Sequence, residues 1–161
     1  MQHQSVFIGS DHGGLDLKAV IIGFLKSRGD DVRDMGPHKY DKDDDFPDYA
    51  EKVCMEVLAS GGAGILICKS GNGMARVANK IPGIRAAVCW NEYSAIKEKE
   101  HGNTNVLCLS AAQTGADHAQ RIVDAWLSTQ FSGEERHKRR LDKVAGIERK
   151  GLGAPARKQS A

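Results

Sequence analysis

The chain has 161 residues, of which 40% are hydrophobic and 27% charged, and its formal net charge is +2. These values are typical of a soluble globular protein that is long enough to bury a full core. No apolar run approaches the roughly 20 residues that a membrane span requires, and residues 1–4 carry no signal segment, so we expect a cytoplasmic protein with no membrane partner.

Strand-like and helix-like segments alternate along the chain. Short apolar runs predict five strands, at 5–9, 31–35, 64–68, 84–89 and 105–109. Apolar residues at helical spacing predict helices at 15–27, 48–59, 74–80, 91–100, 114–129 and 134–150. This alternation indicates an α/β fold: a three-layer, Rossmann-like, five-stranded parallel sheet with helices on both faces and a C-terminal helix.

The sequence shows no internal repeat and no composition shift that would divide it into two domains. Residues 1–150 are therefore interpreted as a single domain, interrupted by a long polar loop at 37–46. The segment 151–161, which contains Gly, Pro, Ala and Lys, is predicted to be a disordered tail.

The most informative segment is 64–73, Gly-Ile-Leu-Ile-Cys-Lys-Ser-Gly-Asn-Gly, which predicts a buried strand ending on Cys68. Gly71 and Gly73 allow a sharp turn and leave backbone N–H groups unshielded, directly before a predicted helix. A thiol beside such a helix start can become a base or a nucleophile. The alternative is an inert core cysteine, which is the commoner role of a cysteine on a strand; the glycine-rich turn favours the functional interpretation.

A second loop with polar side chains follows the first predicted strand. Its sequence is Ser-Asp-His-Gly-Gly at 10–14. In open parallel sheets, ligands bind outside the carboxyl ends of the strands, where both loops fall. Asp11 alone could be a helix cap and His12 an ordinary loop residue, but together with the Cys68 turn they predict a shared pocket.

The four cysteines of the chain are scattered, without a CxxC pair or a metal-ligand spacing. We therefore expect neither a disulfide nor a metal site. The last part of the chain is basic, since residues 136–158 hold nine Lys or Arg against two Asp or Glu. This basic stretch could be a solvated helix with a tail, a nucleic-acid contact, or a set of arginines placed for a small anion.

Short motifs follow one another in order from about residue 5 to 149. They occupy 9–14, 46–50, 65–68, 70–73 with 78–80, 83–86, 101 with 103–107, 122–127, and 136–137 with 140. This ordered set resembles the ribose-5-phosphate isomerase B family, which also includes galactose-6-phosphate isomerase subunits. The resemblance implies a metal-independent aldose–ketose isomerase that uses no cofactor and moves a proton between C1 and C2 of a phosphorylated sugar through an enediolate.

The resemblance also implies catalytic roles for four residues. Cys68 matches the base that takes the proton, and Ser70 matches the hydroxyl that assists proton transfer between the sugar oxygens. His101 matches the residue that opens the furanose ring, and Asp11 the residue that contacts the sugar hydroxyls. Isomerisation needs a base, an acid and stabilisation of an oxyanion, which this set can supply.

The substrate-binding positions implied by the resemblance are His12, Arg136 and Arg140 for the phosphate, and Gly71, Asn72 and Gly73 for the enediolate oxygens. Lys69 can add positive charge if it points inward. Arg136 and Arg140 are four residues apart and so share one face of a helix, which suits a phosphate. Without the resemblance, a solvated basic face would be the simpler interpretation.

The position of His101 predicts a homodimer. His101 precedes the fifth strand, at its amino end, whereas Cys68 is at the carboxyl end of the third. In a parallel sheet these ends lie about 15–20 Å apart. We therefore expect His101 to act on the pocket of a neighbouring copy, in a symmetric dimer or a tetramer built from it.

Several positions depart from the family pattern and leave the substrate open. Lys69 stands where the family usually has Gly, Gly102 where Asn is common, and Met74 where one branch has a glutamate base. The segment 110–113 lacks an arginine that some members carry. Ribose 5-phosphate is the favoured substrate; the alternatives are a tetrose or hexose phosphate, or a non-catalytic module that only binds a sugar phosphate. Nucleic-acid binding is disfavoured because few aromatic residues lie near the basic C-terminus.

Overall fold

The computed structural model describes residues 4–151. The tail predicted to be disordered lies outside the described residues from position 152 onward. The described strands are β1 (Ser5–Ser10), β2 (Asp31–Asp34), β3 (Ala63–Cys68), β4 (Ala86–Val88) and β5 (Val106–Ser110). The described helices are α1 (Leu15–Arg28), α2 (Phe46–Ser60), α3 (Asn72–Ala78), α4 (Glu92–Gly102), α5 (Ala116–Ser128) and α6 (Glu135–Lys150), with a 3₁₀ turn at His12–Gly14.

The strands form one parallel sheet in the order β2-β1-β3-β5-β4. Helices α1, α4 and α5 cover one face of the sheet, and α2 and α3 cover the other. The predicted α/β class, with a five-stranded parallel sheet between helical layers, is confirmed.

The central strand β3 shows why this sequence forms a covered sheet. Successive side chains of a strand point to opposite faces, and all six residues of β3 are buried. Ile65 and Ile67 pack into the core beneath α1 and α5, whereas Leu66 and Cys68 pack into the core beneath α2 and α3. Each buried Ile or Leu side chain contributes about 1.5–3 kcal/mol, so a run without alternation is stable only with helices on both faces.

Several predicted boundaries differ from the structure by two residues, namely the starts of α2, α3, β4 and α5 and the ends of α3 and α4. Helix α3 begins at Asn72 instead of Met74, because Gly71 (φ 76°) completes the turn alone and Gly73 already lies in the first helical turn. Strand β4 covers only Ala86–Val88. Ala86, its first residue, pairs with Val106 of β5, and the Asn79 side chain bonds both the N–H and the C=O of Ala86.

Gly14 permits the close approach of the first loop to β3. A Cβ at this position would lie 2.5 Å from the carbonyl oxygen of Ile67 and 2.8 Å from its carbonyl carbon. We expect Gly14→Ala to lower the free energy of unfolding by about 1–3 kcal/mol, because the backbone of one of the two segments must move. Urea unfolding measures this change.

Gly23→Ala is the matched control. Gly23 lies in α1, and a Cβ there meets nothing within 4 Å. Alanine at this position should raise the free energy of unfolding by about 0.5–1 kcal/mol, because it favours the helix. Equal effects of the two substitutions would contradict the proposed contact between Gly14 and Ile67.

Candidate active site

The two glycine-containing loops meet at the carboxyl edge of the sheet because β1 and β3 are neighbours. The N–H of Asp11 donates to the carbonyl oxygen of Ile67 at 3.3 Å. A Cβ on Gly13 would lie 3.3 Å from the backbone nitrogen and Cβ of Lys69. The structure thus brings Asp11 and His12 beside the loop that carries Cys68 and Ser70.

Cys68 ends β3 and is held by the turn that follows it. The N–H of Gly71 donates to its Sγ at 3.1 Å. The residue is 5% exposed, at the edge of the sheet. The sulfur therefore receives a backbone donor from the turn that follows it, which fixes the position of the thiol.

The other three thiols belong to the core. Cys54, Cys89 and Cys108 are fully buried. Burial raises the pKa of Cys54 and of Cys89 to about 12, and it raises the pKa of Cys108 well above its ordinary value. These thiols are protonated at neutral pH, and all four cysteines are free. Cys68 is therefore the one thiol that combines partial exposure with a backbone donor on its sulfur.

The residues after Cys68 form the rim of the site. The Oγ of Ser70 accepts the N–H of Asn72 at 3.3 Å. The amide of Gly73, in the first turn of α3, has no intrahelical acceptor. Lys69 and Ser70 are exposed and line a depression of about 510 Å³ together with Trp90, Ser110, Ala112 and Gln113. Lys69 does not have a positive φ. Among residues 4–151, Asn103 is the only non-glycine residue that does.

Asp11 sits at the start of the 3₁₀ turn, where its Oδ1 accepts the N–H of Gly13 at 2.9 Å. Asp11 is 9% exposed. Burial raises the pKa of Asp11, and the hydrogen bond from Gly13 and the charge of His12 oppose that effect. A side chain of this kind can accept hydrogen bonds from sugar hydroxyls in a partly desolvated site.

His12 is held by Asp44, a residue that sequence analysis did not select. Asp44 Oδ1 lies 2.6 Å from His12 Nδ1 and accepts the His12 N–H at 3.1 Å. The hydrogen bond with Asp44 raises the pKa of His12 above its usual value. The only signal in the sequence was the acidic run of the 37–46 loop, whose members could not be ranked without knowing which one folds back onto the β1 loop.

His101 lies at the opposite edge of the sheet, as expected. It is the penultimate residue of α4, just before β5, and its ring stacks on that of His137 with centroids 4.3 Å apart. His137 is 4% exposed, its Nδ1 lies 2.7 Å from Ser132 Oγ, and burial lowers the pKa of His137. Sequence analysis left His137 unassigned, although its place beside Arg136 was visible.

Arg136 and Arg140 lie on α6, which packs against α4. Arg136 forms an exposed ion pair with Glu134 at 2.7 Å, and Arg140 is exposed. Because His137 lies between them on the same helix, the two arginines belong to the His101 edge and not to the His12 edge. One chain therefore carries two separate groups of predicted site residues.

Residues 4–151 contain neither a metal-binding cluster nor a membrane-spanning helix. No group of three or more His, Cys, Asp or Glu in this range is arranged to hold a metal ion. No helix in the range combines the length and the apolar character of a membrane span.

The fold and the residues at its carboxyl edge define an α/β protein that carries a thiol, a hydroxyl and backbone amides on one turn, beside the loop with Asp11 and His12. Residues 6–144 match the family model described as Ribose/Galactose Isomerase. The chain belongs to this family.

Relatives and solved structures agree with this assignment. The chain is 40% identical over 150 residues to a ribose-5-phosphate isomerase B of Escherichia coli, covering 91% of this chain and 98% of the relative. A ribose-5-phosphate isomerase B structure from Clostridium thermocellum matches with 46% identity and a TM-score of 0.87, covering 91% and 98% of the two chains. The Mycoplasma genitalium enzyme with bound ribulose-5-phosphate matches with 41% identity and a TM-score of 0.86, covering 90% and 96%.

Proposed function

We propose that this protein interconverts ribose 5-phosphate and ribulose 5-phosphate at a site shared by two copies of the chain. The observation that carries the proposal is the likeness over 90% of the chain to a relative described with bound ribulose-5-phosphate. The N–H···Sγ contact between Gly71 and Cys68 supports it, because it holds the one partly exposed thiol in a position to act as a base.

The proton transfer is assigned to the Cys68 edge. The Cys68 thiolate removes the C2 proton of the open-chain aldose, and the electron pair moves through an enediolate onto O1. The thiol then returns the proton to C1, while Ser70 relays the hydroxyl proton from O2 to O1, so that the ketose has the same atoms as the aldose. Asp11 binds the sugar hydroxyls, and the amides of Gly71–Gly73 stabilise the negative oxygen.

Ring opening is assigned to the other edge of a second copy. Cys68 pairs in register with Ser110, at the carboxyl end of β5, whereas His101 precedes the amino end of that strand. Within one chain, Cys68 and His101 are too far apart for both side chains to make catalytic contacts with the same pentose phosphate. His101 of one copy therefore serves the Cys68 pocket of the other, in a symmetric homodimer.

The phosphate is assigned to His12 together with Arg136 and Arg140 of the second copy. Two guanidinium groups one helical turn apart can bind phosphate oxygens through several charged hydrogen bonds. Lys69 is exposed at the rim and adds positive charge near the same opening. In this arrangement, Arg136 and Arg140 lie far from His12 of their own chain but bind the same phosphate as His12 of the other copy.

A turnover screen across ribose, allose, galactose and erythrulose phosphates, run with a chelator, tests the function. We expect the highest kcat/KM with ribose 5-phosphate and no loss of rate with the chelator, because the proposed proton transfer uses only side chains and amides. Preference for a tetrose or hexose phosphate would reassign the substrate. Binding of ribose 5-phosphate without any turnover would instead identify a sensor, and loss of rate with the chelator would argue for a metal-assisted reaction.

A further inference from the structure

One carboxylate of the polar loop before α2 is buried beside His12. The Asp44 side chain is 6% exposed, whereas its neighbours Asp43 and Asp45 are exposed to solvent. Its Oδ1 contacts both the main-chain N–H and Nδ1 of His12. Its Oδ2 is buried and has no hydrogen-bond partner among residues 4–151.

A cation in contact with a buried carboxylate stabilises it. Removing such an anion from water costs several kcal/mol unless a positive charge lies in contact with it. Within residues 4–151, the ion pair with His12 is the only one that Asp44 forms. The environment of Asp44 thus favours the imidazolium form of His12 over the neutral ring.

The surroundings of the imidazole are mainly acidic. The charged and aromatic groups around the His12–Asp44 pair come from three segments: Asp11 from the β1 loop, Tyr40, Asp41 and Asp44 from the 37–46 loop, and Tyr49 from α2, whose hydroxyl faces the Asp44 carboxylate. Asp44 is the largest contributor that raises the pKa of His12, with smaller effects of Asp11 and Asp41, and burial opposes them. The Tyr40 ring stands edge-on to the imidazole, with centroids 5.9 Å apart.

We propose that Asp44 is a positioning residue that holds His12 in one ring orientation and keeps it protonated, so that Nε2 offers a charged N–H to the substrate phosphate. The main-chain N–H and Nδ1 of His12 both donate to Oδ1 of Asp44, and these two hydrogen bonds restrict rotation of the ring. Nδ1 is thereby occupied, and Nε2 is the nitrogen left for a ligand. The identity of the anion rests on the proposed function; the His12–Asp44 pair does not.

The charge matters because a sugar phosphate is mostly a dianion at neutral pH. A charged donor binds such an oxygen about twice as strongly as a neutral one. Since the pKa of His12 is raised in the folded protein, its positive charge persists at pH values where an ordinary histidine is neutral. The charge is lost only as the pH rises through this raised pKa, and KM should increase there.

Asp44→Asn tests the proposal, since asparagine keeps the size and the acceptor oxygen but removes the charge. We expect the pKa of His12, followed by NMR and assigned with His12→Gln, to fall towards the ordinary value of a histidine. KM for ribose 5-phosphate should rise about tenfold at pH 8 and less at pH 6. The value of kcat should change less than KM, because His12 is assigned to the phosphate and takes no part in the proton transfer.

Asp45→Asn is the matched control, since it removes the same charge one residue away from an exposed position. It should leave the pKa of His12 and KM unchanged. The proposal fails if Asp44→Asn leaves the pKa of His12 unaltered. It also fails if His12 of the unmodified protein titrates at or below about 6.5, a measurement that needs no variant to fold.

Inorganic phosphate separates this proposal from the proposed function. If phosphate shifts the His12 resonances in the unmodified protein but not in Asp44→Asn, the role of Asp44 is supported even when no sugar phosphate turns over, and only the assigned reaction is wrong. If phosphate leaves His12 unshifted in the unmodified protein, the role of the pair in phosphate binding is overturned.

Discussion

Replacement of Cys68 by alanine is expected to lower kcat for ribose 5-phosphate by at least about 100-fold, the usual scale for loss of a general base. The structure singles out this thiol, because the Gly71 N–H donates to its sulfur while the other three thiols are fully buried. Removing the thiol takes away the group that accepts the proton, yet it leaves the phosphate contacts in place. KM should therefore change much less than kcat in initial-rate measurements.

Cys54→Ala is the control for this prediction. It removes a thiol from the core beneath α2, where burial raises the pKa to about 12. We expect a lower free energy of unfolding and a kcat close to that of the unmodified protein. If Cys68→Ala retains near-normal kcat while its melting temperature is unchanged, Cys68 is not the base, and the assigned proton transfer must be abandoned.

Replacement of His101 by alanine should also abolish most of the activity with ribose 5-phosphate, because ring opening then lacks its acid–base group. The sharper result is expected from mixing this variant with Cys68→Ala. After subunit exchange, half of the dimers are hybrids, and one of the two sites in each hybrid has both Cys68 and His101 intact. The mixture should regain about a quarter of the activity of the unmodified protein.

Cys68→Ala mixed with Ser70→Ala is the matched control for the exchange experiment. Both residues belong to the same edge of the same chain, so no hybrid contains an intact site, and no activity should return. Exchange itself must be demonstrated, for example with tagged chains. Complete absence of recovery between Cys68→Ala and His101→Ala under proven exchange would show that the site is not shared as proposed.

The placement of His101 was accessible from the sequence because chain order alone determines it. In a sheet of parallel strands, the segment before a strand lies at the amino edge and the segment after it at the carboxyl edge. Cys68 follows β3 and His101 precedes β5, so their separation required only that both strands be recognised. Helix α6 was also recognised, but its packing against α4, and hence the grouping of its arginines with His101, needed the folded chain.

Other features depended on contacts between segments that are distant in sequence. Asp44 and His12 are 32 positions apart, and no local pattern distinguishes Asp44 from the carboxylates on either side of it. The stacking of His137 on His101 likewise depends on how α6 is laid against α4. Such pairs form because the helices and loops pack together over the whole core. The local conformational preference of either residue does not determine them.

By itself, the sequence determined the alternation of strands and helices, the strand that ends on Cys68, and the two glycine-containing loops. The spacing of apolar residues and the positions of glycines are local properties of the chain. The tertiary structure decided the strand order β2-β1-β3-β5-β4, which places Asp11 against Ile67. It also decided which acidic residue pairs with His12 and where α3 begins. These depend on which surfaces come into contact when two helical layers close over one sheet, and that choice minimises exposed apolar area over the whole chain.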